Sequence, residues 1–190
     1  KSAAFDLNGQ WSPWYTLHKT FGGLRDADRY ADNRTALDVE LKFAAWAEGV
    51  LSPLSNAQLQ QMLNTEFGGM NEVLADLYAD TGDRRWLALS HKFDHRAVLD
   101  PLAHGEDRLN GLHGNTQVPK VLGSAVRYAY TGDRDDRSAA TFFWDRVVGH
   151  HTFATGGHGK DEYFREPDQL GRIIDGRTAE TCNVYNMLKL

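Results

Sequence analysis

The sequence is poor in cysteine, in basic clusters and in long apolar runs, and each absence excludes a class of protein. A single cysteine, Cys182, among 190 residues excludes a framework of intramolecular disulfides. The net charge of -5 and the lack of a lysine and arginine run argue against nucleic acid as a partner. No apolar stretch reaches the roughly 18 residues that a membrane helix needs, so we expect no membrane partner. The 41% of hydrophobic residues is still enough for one core.

One turn sequence recurs at three places along the chain. Its versions occupy residues 30–34, 78–84 and 128–134, roughly 50 residues apart. Gly82 and Gly132 suit the left-handed position that ends a helix, and Asp83 and Asp133 can cap the helix that follows. This spacing is typical of arrays or rings of paired helices.

Apolar residues at helical spacing flank each of these turns. Around the second turn they are Met70, Val73 and Leu77 before it, and Trp86, Leu89 and Phe93 after it. The pattern predicts an all-α fold of helical hairpins. We expect helices over residues 15–31, 35–51, 69–81, 84–98, 117–131 and 136–149, and a seventh that starts near residue 179.

Long connections join one hairpin to the next, at residues 52–68, 99–116 and 150–178, and such connections often carry function. All three lead into the first helix of a pair, so they emerge at the same end of the array. Polar residues that can bind sugar hydroxyls recur at this end. They are His18, Asn71, Glu72, His113 and Gln117. We therefore predict a single substrate-binding mouth, which also includes Glu162 and Glu180.

Glu180 and Cys182 form a Glu-x-Cys pair, whose hard oxygen and soft sulfur suit zinc. Thr178 or Thr181 can cap a helix that runs on from this pair. Both ligand candidates would then lie in the first turn, where the helix dipole lowers the pKa of a thiol. Taken alone, the pattern favours the simpler explanation that Cys182 is a buried free cysteine without a function.

Four longer stretches carry a resemblance to a known family. In chain order they are residues 14–19 (WYTLHK), 67–74 (FGGMNEVL), 108–117 (RLNGLHGNTQ) and 179–190 (AETCNVYNMLKL). The chain resembles, over nearly its whole length, the β-L-arabinofuranosidases of glycoside hydrolase families 127 and 146, long classed as a domain of unknown function. The resemblance implies an (α/α)6 barrel. Residues 1–190 would form a partial catalytic domain of roughly three and a half of its six hairpins.

The resemblance also implies a retaining glycosidase that acts on β-L-arabinofuranosides of plant-type glycans. Glu162, in the glycine-rich stretch 156–164, matches the general acid/base, with Glu166 as the poorer match. A general acid needs a raised pKa, which a largely buried loop carboxylate can supply. Glu180 and Cys182 match two ligands of a zinc site made by one glutamate and three cysteines.

The resemblance implies two further cysteines beyond Leu190, one of them the nucleophile. We therefore expect the 190-residue chain alone to be inactive and to hold zinc weakly or not at all. If it does bind zinc fully, His158 is the first candidate for a third ligand. Enzymes of this kind are often exported, although others of the resembled families work inside the cell, so a secreted or periplasmic location is slightly favoured. The expected partner is a carbohydrate, and the oligomeric state stays open.

Other classes of protein fit part of the pattern. A non-enzymatic α-solenoid has helical hairpins of this length, but it spreads its binding residues along a concave face. Another zinc-dependent α/α ring enzyme, such as a lanthionine cyclase or a prenyltransferase, lacks the WYTLHK stretch and the Glu162 loop. Asn71 and Glu72 could instead pair with Glu162 in an ordinary two-carboxylate hydrolase.

Overall fold

The computed structural model describes residues 4–190, and within them the chain is helical. The nine α-helices of this part are α1 (Pro13–Ala31), α2 (Arg34–Leu51), α3 (Asn56–Leu63), α4 (Met70–Thr81), α5 (Arg84–His91), α6 (Arg96–Ala103), α7 (Gly114–Thr131), α8 (Arg134–Arg146) and α9 (Thr181–Lys189). Apart from isolated β-bridges, no strand occurs among the described residues. The prediction of an all-α fold of helical hairpins is confirmed. No helix in this part of the chain is long and apolar enough to cross a membrane.

The helices group into two compact units, Lys1–His95 and Arg96–Leu190. Each unit has its own cluster of buried apolar side chains, whereas the composition suggested a single core. That residues 1–190 form one partial catalytic domain stays a prediction.

In the first unit, α1 pairs with α2, α4 pairs with α5, and α1 also packs against α4. Trp14 lies in the core of this unit with 3% of its surface exposed. Its ring meets Phe93 edge-on at 5.1 Å, and its Nε1 donates to the sulfur of Met62 at 3.1 Å. Burying an aromatic side chain of this size stabilises the fold by about 3 kcal/mol. Trp14, the first residue of the WYTLHK motif, is therefore a core residue and not a surface on which a sugar could stack.

The short turns follow the sequence prediction. Gly82 and Gly132 end α4 and α7 with φ of 73° and 74°. Asp83 then accepts a hydrogen bond from the Arg85 N–H, and Asp133 caps α8 in the same way. These local rules depend on neighbouring residues alone, so the sequence is enough to place them.

Tertiary contacts break the helix predicted over residues 84–98. α5 ends at His91 and α6 begins at Arg96. Between them, the Asp94 carbonyl accepts from the Gln60 side chain at 2.8 Å, and His95 Nε2 lies 3.0 Å from Asn64 Oδ1. Both partners come from the α3 region, so contacts distant in sequence end this helix.

α3 itself lies inside the predicted connection 52–68. Ser55 caps it, because its side chain accepts from the Gln58 N–H while the Gln58 side chain accepts from the Ser55 N–H. This reciprocal capping box satisfies two backbone donors and marks the start of a helix that the sequence interpretation missed.

In the second unit, α7 and α6 both pack against α8, and α9 packs against α7. The helix predicted to begin at residue 117 begins at Gly114, because the His113 side chain accepts from the Thr116 N–H and caps an earlier turn. α9 begins at Thr181 with Glu180 at its N-cap, and the Thr178 hydroxyl donates to the Asp175 carbonyl instead. The expectation that Thr178 or Thr181 caps this helix is therefore wrong.

Candidate active site

Glu162 lies at the tip of a tight turn in the loop between α8 and α9. The Lys160 N–H donates to the Tyr163 carbonyl at 2.8 Å, and the Tyr163 N–H donates back at 3.1 Å. The two central residues, Asp161 and Glu162, have φ of 53° and 70°. This is the pattern of a type I′ turn, which usually takes asparagine, aspartate or glycine. Glutamate in a left-handed conformation costs about 1–2 kcal/mol, and such strain is a reason to suspect a functional role.

The Glu162 side chain is held by His113 but is otherwise open to solvent. Its Oε2 lies 3.0 Å from His113 Nε2, and 58% of the side chain is exposed. Its backbone carbonyl accepts from the Gly114 N–H at 2.7 Å. The expectation of a largely buried carboxylate is therefore wrong, because the turn projects outward. Glu166, the alternative acid/base, accepts a hydrogen bond from the Asn110 side chain.

Ion pairs join this turn to the segment that leads to Glu180. Arg177 lies 2.8 Å from Asp161 and 3.2 Å from Asp175, and Lys160 lies 3.0 Å from Asp175. Hydrogen bonds from Lys160 and from the Arg177 backbone lower the pKa of Asp175 to about 2. The Asp161 N–H also donates to the Arg177 carbonyl at 3.0 Å.

Close backbone packing reinforces this link at Gly157. A Cβ atom on this residue would lie 2.8 Å from the Thr178 carbonyl oxygen. Only glycine lets the glycine-rich loop lie this close to the segment before α9. Gly157 in the glycine-rich stretch 156–164 therefore has a structural role, because it lets the Glu162 loop lie beside the segment that contains Glu180.

Glu162 and Glu180 line the same cleft. Its volume is about 430 Å³. The other lining residues are Asp161, Arg177 and Ala179. The cleft therefore brings the predicted acid/base and one predicted metal ligand together within the second unit.

Cys182 follows Glu180 in the first turn of α9 and interacts with it. A hydrogen bond between the Cys182 thiol and Glu180, with burial and the charges of Glu180 and Glu162, raises the pKa of Cys182. The expectation of a lowered pKa at this helix start is therefore wrong, because the hydrogen bond to Glu180, burial and the two carboxylate charges all raise it. The thiol itself is exposed.

The Glu180 and Cys182 pair has the chemistry of two zinc ligands. Glu180 Oε2 is buried and has no hydrogen-bond partner among residues 4–190, so a ligating oxygen is available. No set of three histidine, cysteine, aspartate or glutamate side chains in the described chain is placed to hold a metal ion. The residues present fit zinc as a pair that needs further ligands.

His158, the candidate third ligand, belongs to a buried aromatic stack. Its ring lies parallel to Phe164 at 5.4 Å, and 2% of its surface is exposed. Burial lowers the pKa of His158 to about 4, so it stays neutral at physiological pH. His158 therefore packs against Phe164, and Phe164 is also in edge contact with His151.

Three of the predicted binding residues come together in the first unit, around the FGGMNE motif. A Cβ atom on Gly69 would lie 2.6 Å from Glu72 Oε2 and 3.0 Å from His18 Nε2. His18 and Glu72 therefore meet over this glycine. Asn71 is fully buried, and its Oδ1 accepts from the Glu72 N–H at 3.1 Å.

The other predicted binding residues, His113 and Gln117, lie in the second unit. Gln117 donates from Nε2 to the His113 carbonyl at 3.0 Å, and its buried Oε1 has no hydrogen-bond partner within residues 4–190. That these residues share one mouth with His18, Asn71 and Glu72 stays a prediction.

Sequence reasoning missed two residues, Asp107 and Asn183, whose side chains make structural contacts within the second unit. Asp107 lies in the long connection 99–116, where His151 Nε2 and Arg146 Nε both lie 2.9 Å from its carboxylate. Burial raises the pKa of Asp107, but these two hydrogen bonds outweigh it and lower the pKa. Asn183 is fully buried against Gly114, where a Cβ atom would lie 2.7 Å from its Nδ2. The motif that contains Asn183 was the only sequence signal for it.

In this all-α chain, the cleft holds an exposed loop carboxyl group beside a second glutamate at a helix N-terminus, and a loop carboxyl group in an open cleft can act as the general acid of glycoside hydrolysis. The family model described as β-L-arabinofuranosidase, GH127 catalytic domain, matches residues 1–190, so the chain belongs to that family of glycoside hydrolases acting on arabinofuranosides. The comparison with curated proteins gave no match. The family is enzymatic, with a carbohydrate substrate, which decides against the binding module considered above.

Proposed function

We propose that the protein is a retaining β-L-arabinofuranosidase of plant-type glycans, in which Glu162 is the general acid/base. The observation that supports this most directly is the shared cleft of Glu162 and Glu180. Glu162 is also a strained residue whose carboxylate is fixed by one hydrogen bond and open to solvent. A carboxyl group in this setting can approach the glycosidic oxygen of a bound sugar.

In the first step, Glu162 gives its proton to the leaving oxygen while the nucleophile bonds to the anomeric carbon and the C–O bond breaks. In the second step, the Glu162 carboxylate takes a proton from water, which attacks the same carbon and releases the nucleophile. Two displacements at one carbon retain its configuration. The nucleophile that the resemblance implies is a cysteine thiolate.

Glu180 and Cys182 would hold zinc together with the further cysteines that the resemblance implies. Bound there, zinc would keep the cysteine sulfurs deprotonated at neutral pH. The buried Glu180 Oε2 and the adjacent thiol support this proposal, since together they supply one oxygen and one sulfur ligand.

The substrate would be oriented by His18, Glu72 and Gln117, whose side chains can bind sugar hydroxyls. Gln117 Oε1 is buried and free to accept, which supports this role. His113 contributes less to sugar binding, because both of its ring nitrogens already have partners. Asn71 contributes through Glu72, whose N–H it binds.

Glu162→Gln in the whole protein tests the acid/base assignment. We expect turnover of natural β-L-arabinofuranosides to fall by about 10²–10⁴-fold, because the amide cannot donate a carboxyl proton. Zinc content should not change, since Glu162 is not a proposed ligand. NMR of the first product formed should show the β-anomer. Full activity of this variant on the natural substrate would move the assignment to Glu166, and an α-anomer would exclude retention.

Metal analysis of purified variants tests the zinc proposal. Cys182→Ala and Glu180→Gln should each lower the bound zinc per chain, because a site that loses a ligand binds more weakly. Glu166→Gln is the matched control, since that exposed carboxylate binds Asn110 instead. Unchanged zinc in both ligand variants would contradict the proposal.

A further inference from the structure

Thr116 is buried in the first turn of α7 and contacts one nitrogen of His113 twice. Its N–H lies 3.3 Å and its hydroxyl 2.8 Å from His113 Nδ1, with 4% of the residue exposed. A backbone N–H can only donate, so Nδ1 must accept and carries no proton. The hydroxyl then donates to Nδ1 as well. The single ring hydrogen of neutral His113 therefore lies on Nε2.

That Nε2–H faces the carboxylate of Glu162. The Nε2 to Oε2 distance is 3.0 Å, which is a good hydrogen-bond length. With the opposite tautomer, Nε2 and the ionised carboxylate of Glu162 would both be acceptors, and the contact would be lost in that state. The tautomer set by Thr116 is therefore a condition for holding the Glu162 side chain.

Backbone contacts fix the turn but not the carboxylate. The Gly114 N–H binds the Glu162 carbonyl at 2.7 Å, and an isolated antiparallel bridge joins His113 to Tyr163. Both contacts involve main-chain atoms, so they leave the direction of the exposed Glu162 side chain to be set by His113. A general acid works only within hydrogen-bond reach of the leaving oxygen, so this direction matters.

We propose that Thr116 is a positioning residue of the hydrolysis, which fixes the Nε2–H tautomer of His113 and through it the orientation of Glu162. This inference rests on the proposed role of Glu162 as the general acid/base. Thr116 touches neither the substrate nor the reacting atoms. Replacing Thr116 should therefore lower the rate strongly only for substrates whose hydrolysis is limited by proton donation from Glu162.

Leaving-group dependence in the whole protein separates this role from a structural one. The substrates are a methyl and a nitrophenyl β-L-arabinofuranoside, because a nitrophenolate leaves without protonation. For Thr116→Val we expect kcat to fall roughly 10- to 100-fold on the methyl glycoside, with little change on the nitrophenyl glycoside or in KM. Thr116→Ser keeps the hydroxyl and should restore the rate.

Thr131→Val is the matched control, since Thr131 lies at the other end of α7 and its hydroxyl donates to the Arg127 carbonyl at 2.7 Å. Its effect, if any, should be equal on both substrates. An equal loss on both substrates in Thr116→Val, no loss at all, or a failure of Thr116→Ser to restore the rate would each overturn the proposal.

Nitrogen NMR of labelled histidine tests the first link without using activity. The wild-type protein and Thr116→Ser should show the Nε2–H tautomer at His113, and Thr116→Val should show growth of the Nδ1–H form. A wild-type Nδ1–H tautomer would overturn the inference even if Thr116→Val fails to fold. By contrast, a Glu162→Gln variant without leaving-group dependence would refute the acid/base assignment, while the tautomer result would stand by itself.

Discussion

Replacing Glu40 with glutamine should change how the stability of the protein depends on pH. Glu40 lies in α2 with 1% of its surface exposed, and neither carboxylate oxygen has a hydrogen-bond partner among residues 4–190. Burial raises the pKa of Glu40 from 4.5 to about 7. The charges of Asp80, Asp76 and Asp28 add to this rise, and Arg25 opposes it. The fold therefore prefers the neutral carboxyl group.

The raised pKa of Glu40 determines the direction and the size of the change in unfolding free energy with pH. Because the folded pKa lies above the unfolded one, the contribution of Glu40 to stability is fully present below pH 4.5 and is lost as the pH rises through 7. The difference between the two values corresponds to roughly 3 kcal/mol. Glutamine cannot ionise, so Glu40→Gln should not suffer this loss. The quantity to compare is the unfolding free energy of Glu40→Gln minus that of the wild type. This difference should be up to about 3 kcal/mol larger at pH 8 than at pH 4.5.

Urea unfolding followed by circular dichroism at several pH values between 4.5 and 8 measures this effect. Glu48→Gln, on the same helix, is the matched control. A hydrogen bond from Arg85 lowers the pKa of Glu48, so Glu48 stays charged over this range and its replacement should not alter the pH dependence. Equal pH dependence in Glu40→Gln and the wild type would refute the reasoning, since Glu40 would then be ionised in the fold.

Two further pairs of substitutions test one strained and one crowded backbone position. Glu162→Gly should stabilise the fold by about 1 kcal/mol in thermal unfolding while removing most activity, because glycine relieves the left-handed strain but cannot donate a proton. Asp32→Gly, at φ 55° in the first hairpin turn, should stabilise similarly and keep activity, and a destabilised Glu162→Gly would contradict the strain argument. Gly68→Ala should destabilise the fold more than Gly82→Ala does. A Cβ atom at Gly68 would lie 2.4 Å from His18 Nδ1, whereas a Cβ atom at Gly82 would have no neighbouring atom within 4 Å. Equal unfolding free energies for these two variants would show that His18 moves away at no cost.

Local sequence signals were sufficient for the hairpins and insufficient for their connections. Gly82 and Asp83 end and start helices by contacts within a few residues, so their roles could be predicted. The break between α5 and α6 could not, because the apolar spacing continues through Phe93. What ends α5 is contact with α3 and the residue that follows it, because Gln60 and Asn64 bind residues about 30 positions away.

For the candidate site, too, the sequence indicated the residues but not their environments. The motifs indicated Glu162, Glu180 and Cys182, and the family match agrees with the family those motifs suggested. Their environments differed from expectation, since Glu162 is exposed and the pKa of Cys182 is raised. Burial and neighbouring charges depend on how the loop lies against α7 and α9, which the motifs do not encode.

By itself the sequence determined the helical hairpins, the caps at their short turns and the chemical types of the site residues, because those depend on spacing and composition within short segments. The tertiary structure alone decided that His113 binds Glu162, a residue 49 positions away. It also decided that Glu40, an ordinary polar position in the sequence of α2, is enclosed with a raised pKa. The physical reason is that hydrogen-bond partners, burial and charge environment come from segments that meet only when the chain has folded.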